Sequence, residues 1–244
     1  MRTSNKILLG TFISVTVLLV GIHVSLNAKY SNGSFTVIPN KKSDRFNVQI
    51  LPAVKYVTAT GLNHFNIISS DTLKLETEKN HSSQLRVKVE GETLIISGDT
   101  LIKRNSFEDR QKTYSPVTLY LPSSIKLKID FSEVQLKGSR DSSSAKSYEF
   151  DLTETNINIG DEWGENGDNP SSRFWKQLDI KASKKSFIRL FTNAKISGLN
   201  LQLNESSIQD ISSDIGQFTL QTDDKSSVNL SGATFKKLNL SPKQ

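Results

Sequence analysis

The residues best equipped for chemistry sit together in Asp161-Glu-Trp-Gly-Glu-Asn-Gly-Asp-Asn-Pro-Ser-Ser-Arg-Phe-Trp175. Its carboxylates, Asp161, Glu162, Glu165 and Asp168, are the oxygen donors a hard cation such as calcium takes. Its tryptophans, Trp163 and Trp175, offer flat apolar faces on which sugar rings stack, and Arg173 can meet a sugar carboxylate. The familiar calcium loop places oxygen ligands at positions 1, 3, 5 and 12 with glycine at 6. Counted from Asp161 the third position is Trp163, and counted from Glu165 it is Gly167, so that spacing fails. No metal ligand is assigned. Asp161, Trp163, Glu165, Arg173 and Trp175 are the expected ligand contacts. The competing expectation is that the segment is packed down by its own aromatics, with Trp175, three residues before Leu178, as the packing one.

Other chemistry is thinly supported. The chain has no cysteine, which excludes disulfides, thiolate metal sites and a cysteine nucleophile. His23, His64 and His81 are scattered without a Ser/Asp constellation, and no glycine-rich phosphate loop occurs. No catalytic residue and no cofactor is therefore expected, and the protein reads as a non-enzyme. The net charge of +6 is modest for 244 residues. The densest basic group, Lys181, Lys184, Lys185 and Arg189 with Phe187, falls within one short stretch, so nucleic acid is not an expected partner.

The elements that must carry these residues begin with Arg2 and Lys6 ahead of residues 7–26, an apolar run of the length a bilayer core requires, about 20 residues. Residues 1–28 are expected to form a membrane anchor, or else a signal peptide, with the remainder outside the cytoplasm, most simply in the periplasm of a bacterial envelope. Residues 29–49 read as a polar linker and residues 50–244 as the exported domain. There, short alternating runs such as Phe65-Asn66-Ile67 and Leu94-Ile95-Ile96 predict half-buried strands, and residues 99–115 predict a loop.

After Pro116 the apolar residues recur with a fixed step. Leu178, Leu199, Phe218 and Leu238 form one column, Ile188, Ile208 and Val228 a second, and Ile196, Ile215 and Phe235 a third, at intervals of 19 to 21 residues. Upstream the step is 23, from Leu127 to Phe150 and from Val134 to Ile157, and between Ile157 and Ile188 it is 31. The segment containing residues 161–175 is thus an insertion of 8 to 11 residues in a regular series. Three strands in each repeat of about 20 residues predict an all-β fold, a right-handed parallel β-helix (β-solenoid) with a strand-rich N-terminal part, preceded by one transmembrane helix. A β-sandwich is the alternative. Stacking also places Asn200, Thr219 and Asn239 after Asp179, and Gln202, Gln221 and Ser241 after Lys181, columns without a carboxylate pair.

The runs Leu85-Arg-Val-Lys-Val89, Glu92-Thr-Leu-Ile-Ile-Ser97, Val117-Thr-Leu-Tyr-Leu-Pro122, Ile125-Lys-Leu-Lys-Ile129 and Val134-Gln-Leu-Lys-Gly138 resemble the bacterial GIN domain, a family of unknown function named for a candidate autotransporter adhesin head. The resemblance spans roughly residues 50 to 240, and MRTSNKILLG resembles the opening of membrane-anchored Bacteroidetes members. It implies a β-helix outside the cytoplasm, with adhesion implied by name only and no functional residue to carry over. Where the family marks turns with glycine, this chain keeps Ser197-Gly198 and Ser231-Gly232 but places Ser206-Ser207 and Ser226-Ser227 elsewhere. The expected function is non-catalytic, adhesin-like binding of a glycan or envelope protein. A carbohydrate-active β-helix enzyme and an oligomeric scaffold are the alternatives.

Overall fold

The computed structural model describes residues 3–31, 45–79, 85–98, 113–162 and 170–240. It comprises two units, residues 1–42 and 43–244. In the first, helix α1 runs Thr3–Ser31. The expected membrane span over residues 7–26 is corrected here: among the described residues no helix is long and apolar enough to cross a membrane. Apolar side chains do not run unbroken through α1. Thr11, Ser14, Thr16, His23 and Ser25 interrupt its apolar residues.

The second unit is built of strands. Seven open it: β1 (Phe46–Ile50), β2 (Tyr56–Thr60), β3 (Leu62–Ser69), β4 (Lys74–Glu78), β5 (Leu85–Glu90), β6 (Thr93–Gly98) and β7 (Thr113–Leu121). Strand β1 thus begins inside the segment read as linker. From there strands come in pairs, β8 (Lys126–Asp130) with β9 (Glu133–Lys137), β10 (Lys146–Thr153) with β11 (Asn156–Ile159), and β12 (Arg173–Ser183) with β13 (Phe187–Leu190). The pairs β14 (Ala194–Asn204) with β15 (Ser207–Asp210) and β16 (Asp214–Thr222) with β17 (Ser227–Asn229) follow, and a short helix α2 (Gly232–Phe235) leads to β18 (Leu238–Leu240).

These strands form two nine-stranded sheets. Sheet 1 has the order β1-β4-β7-β3-β9-β11-β13-β15-β17 and sheet 2 the order β18-β16-β14-β12-β10-β8-β2-β6-β5. Both are mixed: β1 with β4, β4 with β7, and β5 with β6 are antiparallel, while the ladders from β8 onward are parallel. The expected β-helix is overturned by this arrangement of two open, mixed sheets, each ending in edge strands. Each repeat supplies two strands, not three, because the Ile196 and Leu199 columns lie on the one long strand β14, and its neighbour β16 carries Ile215 and Phe218. Phe235, expected in the third column, lies in α2 and is 66% exposed. Apolar spacing identifies which residues neighbour one another across a ladder. It does not count strands or decide whether sheets close.

The columns themselves are ladder neighbours: Leu178, Leu199, Phe218 and Leu238 on sheet 2, and Ile188, Ile208 and Val228 on sheet 1. Alternation sends Phe150, Leu152, Leu199 and Phe218 inward from sheet 2 to meet Ile157, Ile159, Ile188 and Ile208 from sheet 1 in a single core. Burial of each such side chain contributes about 1.5–3 kcal/mol.

The corner from β2 to β3 uses Gly61 at φ 70°, but between β8 and β15 the later corners from sheet 2 to sheet 1 are made by Phe131, Glu154, Lys184, Lys185 and Glu205, residues with left-handed backbone and none of them glycine. A buried hydroxyl follows each corner: Ser132, Thr155, Ser186 and Ser206. Each donates to a carbonyl of its own turn, as Thr155 does to Thr153 O at 2.9 Å and Ser186 to Ser183 O at 2.7 Å. Each of three also accepts the backbone N–H of the preceding corner: Leu62 N to Ser132 Oγ at 3.1 Å, Ser132 N to Thr155 Oγ1 at 3.4 Å, and Thr155 N to Ser186 Oγ at 3.1 Å. The same bond joins Ser206 N to Ser226 Oγ at 3.2 Å. The Ser-Ser pairs are therefore rungs of a hydroxyl ladder that satisfies buried backbone donors.

Candidate functional site

The insertion leaves the fold between β11 and β12. At its start Gly160 has φ +94°, and a Cβ there would stand 2.4 Å from Asn193 Oδ1, so glycine is required on both counts. Buried Asn193 fastens both arms, accepting from Asp161 N at 2.9 Å and donating to Ser171 O at 2.9 Å. Asp161 Oδ2 meets Arg173 Nε at 3.0 Å, and its Oδ1 lies 3.1 Å from Lys137 Nζ. Both oxygens of Asp161 are committed to cations, and the Asp161 and Arg173 side chains are only 12% and 10% exposed.

Trp175 is 1% exposed and packs on Gly138, where a Cβ would fall 2.7 Å from the indole ring. Of the five expected ligand contacts, the fold thus brings Asp161 and Arg173 together as a clasp and turns Trp175 into the core. Trp163 and Glu165 lie outside the described residues.

A broader polar surface lies on the outer face of sheet 2. One column runs Tyr56, Lys126, Glu149, Asp179, Asn200, Thr219 and Asn239. Beside it run Thr58, Lys128, Asp151, Lys181, Gln202 and Gln221. Period-two alternation forces these outward, because the residues between them, such as Phe150, Ile180 and Leu201, fill the core.

Two shallow depressions adjoin on this face and share Glu149. One, of about 380 Å³, is lined by Asp179, Lys181, Asn200, Gln202 and Gln221 among others. The second, of about 330 Å³, is lined by Tyr56, Thr58, Lys126, Lys128 and Asp151 among others.

The first depression is pre-ordered by hydrogen bonds. Asp179 Oδ1 accepts from Asn200 Nδ2 at 2.7 Å and from Gln177 Nε2 at 2.9 Å. Gly198, the ladder neighbour of Gln177, leaves room for that amide, since a Cβ would stand 2.0 Å from Gln177 Oε1. In the second depression Lys126 Nζ lies 2.8 Å from Glu149 Oε2, and the hydrogen bond with Glu149 holds the ammonium above its ordinary range.

Column arithmetic from the sequence finds Asn200, Thr219, Gln202 and Gln221 but misses Glu149 and Asp151. These pair with Asp179 and Lys181 across the insertion. The 31-residue step between β11 and β13, carried over to β12, lands on Tyr148 beside Asp179; the β10–β12 register is 30, and that one-residue difference hides the carboxylate.

No family model matches the chain, and no curated protein does. Solved structures do match in part. A candidate adhesin from Parabacteroides distasonis ATCC 8503 is 11% identical over 80% of this chain and 74% of that one, with a TM-score of 0.48. A candidate adhesin from Bacteroides fragilis NCTC 9343 is 11% identical over 75% and 92%, at 0.40. A candidate lipid-binding protein, also from P. distasonis, is 13% identical over 81% and 97%, at 0.30. With TM-scores below 0.5, these likenesses carry no argument for this chain, whose function must be reasoned from its own surface.

Proposed function

We propose that residues 50–244 are a non-catalytic binding domain of the bacterial cell envelope, holding an extended, hydroxyl-rich chain such as a glycan along the outer face of sheet 2. The observation that carries this reading is the pair of adjoining depressions running across the strands. Parallel strands repeat about every 4.8 Å, close to the length of one sugar residue, so consecutive rings meet equivalent side chains on consecutive strands. Carboxamides at Asn200, Gln202, Gln217 and Gln221 each present a donor and an acceptor, as a neutral polyol requires. Residues Trp163 and Glu165 of the insertion are assigned a secondary contact on the strength of their chemistry, with Asp161 and Arg173 holding its base. Location outside the cytoplasm is supported by the GIN-domain resemblance, and the periplasm is the compartment we assign.

The reading is tested by affinity electrophoresis in neutral envelope polysaccharide. The Asn200→Ala/Gln202→Ala double variant should lose retardation at least tenfold with an unchanged melting temperature. Undiminished retardation would sink it.

Pairing of Glu149 with Asp179 in register favours a second reading, a glycoside hydrolase, since two carboxylates flanking a bond can serve as acid and base. Product release from the same polysaccharide, abolished in both Glu149→Gln and Asp179→Asn, would establish it in place of the first.

A further inference from the structure

Sheet 1 presents a different column to solvent. Asn66, Gln135, Asn158, Arg189, Gln209 and Asn229 are neighbours in register on the consecutive parallel strands β3, β9, β11, β13, β15 and β17. Their outward direction is fixed by Ile157, Ile159, Ile188 and Leu190, which alternate with them and are fully buried. Five of the six are carboxamides, and Arg189 carries the column's single charge.

Arg189 is not balanced by a carboxylate among the described residues. Its guanidinium carbon stands 5.2 Å from the Phe187 ring centroid, and its Nε is covered without a hydrogen-bond partner. The ring and the covered Nε limit the rotations that would otherwise be lost on binding. The terminal nitrogens are left to receive a planar anion end-on, as guanidinium receives carboxylate. On either side, Asn158 and Gln209 offer neutral donors and acceptors one strand away.

The geometry points to a second binding strip, on the face opposite the depressions, for a sparsely charged acidic saccharide: a chain lying along the column with one uronic-acid carboxylate on Arg189 and its hydroxyls on the flanking amides. A polyanion or an anionic membrane requires several cations in reach, and this column holds one. The inference is independent of the sheet 2 reading, because the two faces share no side chain.

Calorimetric titration of the full chain with xylotetraose, and with xylotetraose bearing a single glucuronic acid, tests it. The acidic probe should bind at least tenfold more tightly than the neutral one at low salt. Arg189→Gln should erase that difference without shifting the melting temperature, and Arg189→Lys should retain part of it. The difference should persist in Asn200→Ala/Gln202→Ala, which reports on the other face. Equal affinity of the probes, absence of binding by the acidic probe, or a preference surviving Arg189→Gln each overturns the assignment. Displacement of the acidic probe by equimolar inorganic phosphate would also overturn it, in favour of a general anion site.

Discussion

Asp161 and Arg173 meet at 3.0 Å across the base of an insertion that otherwise interrupts a regular pair of sheets. The contact is nearly enclosed, and Lys137 shares the same carboxylate. Removing the guanidinium leaves a shielded carboxylate with one cation instead of two. Arg173→Ala should therefore destabilise the domain by about 3 kcal/mol, read as a lowered midpoint in urea. Asp161→Ala should cost a similar amount, and the double variant less than the sum.

Gly138 and Trp175 make a second tight contact. A methyl group at residue 138 meets the indole ring and Phe174 O, each at 2.7 Å. Gly138→Ala should cost about 1–3 kcal/mol by overpacking and shift tryptophan emission to the red as the ring is displaced. Unchanged emission and stability would show that the ring is not seated there.

Acid stability should depend on Asp210. Burial raises its pKa, but hydrogen bonds from Ser213, Thr234 and Ser231 outweigh burial and hold the carboxyl below its ordinary value of 3.8. Ser213 N donates at 2.8 Å and Ser231 Oγ at 2.7 Å, the latter from the next repeat. A carboxyl with a depressed folded pKa contributes stability above its unfolded value that is lost as pH falls through the folded one. Urea midpoints should decline below about pH 4, and Asp210→Asn should be less stable at neutral pH with a flatter acid limb.

At the alkaline end the group to watch is Tyr148. Burial, the largest cause, and nearby Asp71 push its phenol up to about 12 against a hydrogen bond with Ser69 that acts the other way. The hydroxyl donates to Leu121 O at 3.0 Å. A raised folded pKa means stability that is complete below the unfolded value of 10.0 and lost as pH rises toward 12. Spectrophotometric titration should show late-ionising tyrosines, Tyr120 being raised as well by burial and Glu76, and Tyr148→Phe should remove one such step at a cost of about 1 kcal/mol.

The corner ladder predicts opposite signs for neighbouring substitutions. Ser186→Ala strips the acceptor from the buried Thr155 N–H, at a cost of about 1–3 kcal/mol. Glu154→Gly relieves a left-handed non-glycine residue at φ 51° and should stabilise by up to about 1 kcal/mol. Thermal melts of both variants check the pair.

Much of this organisation is legible in residue spacing, for a reason that also limits it. Parallel pairing joins residues one repeat apart, so Ile188, Ile208 and Val228 advertise their contact by recurring apolar type. Nothing in that recurrence distinguishes one eleven-residue strand from two short ones, and β14 is the single long kind. The insertion is legible as extra length, but composition cannot distinguish a tryptophan that offers its face from one that hides it. Gly138, far upstream, decides the matter for Trp175. Serine pairs in turns read as an absence of glycine, although their hydroxyls supply the acceptors that make left-handed glutamate and lysine tolerable there.

The hydroxyl ladder also bears on how the domain assembles. Because, among the described residues, the Thr155 N–H finds its acceptor on Ser186 and the Ser206 N–H on Ser226, a corner cannot complete its bonding until the following repeat has docked. Such dependence couples neighbours that would otherwise form one at a time. Amide exchange should accordingly fray inward from the β17 and β18 end, with the seam at Ser132 and Thr155 among the last to open.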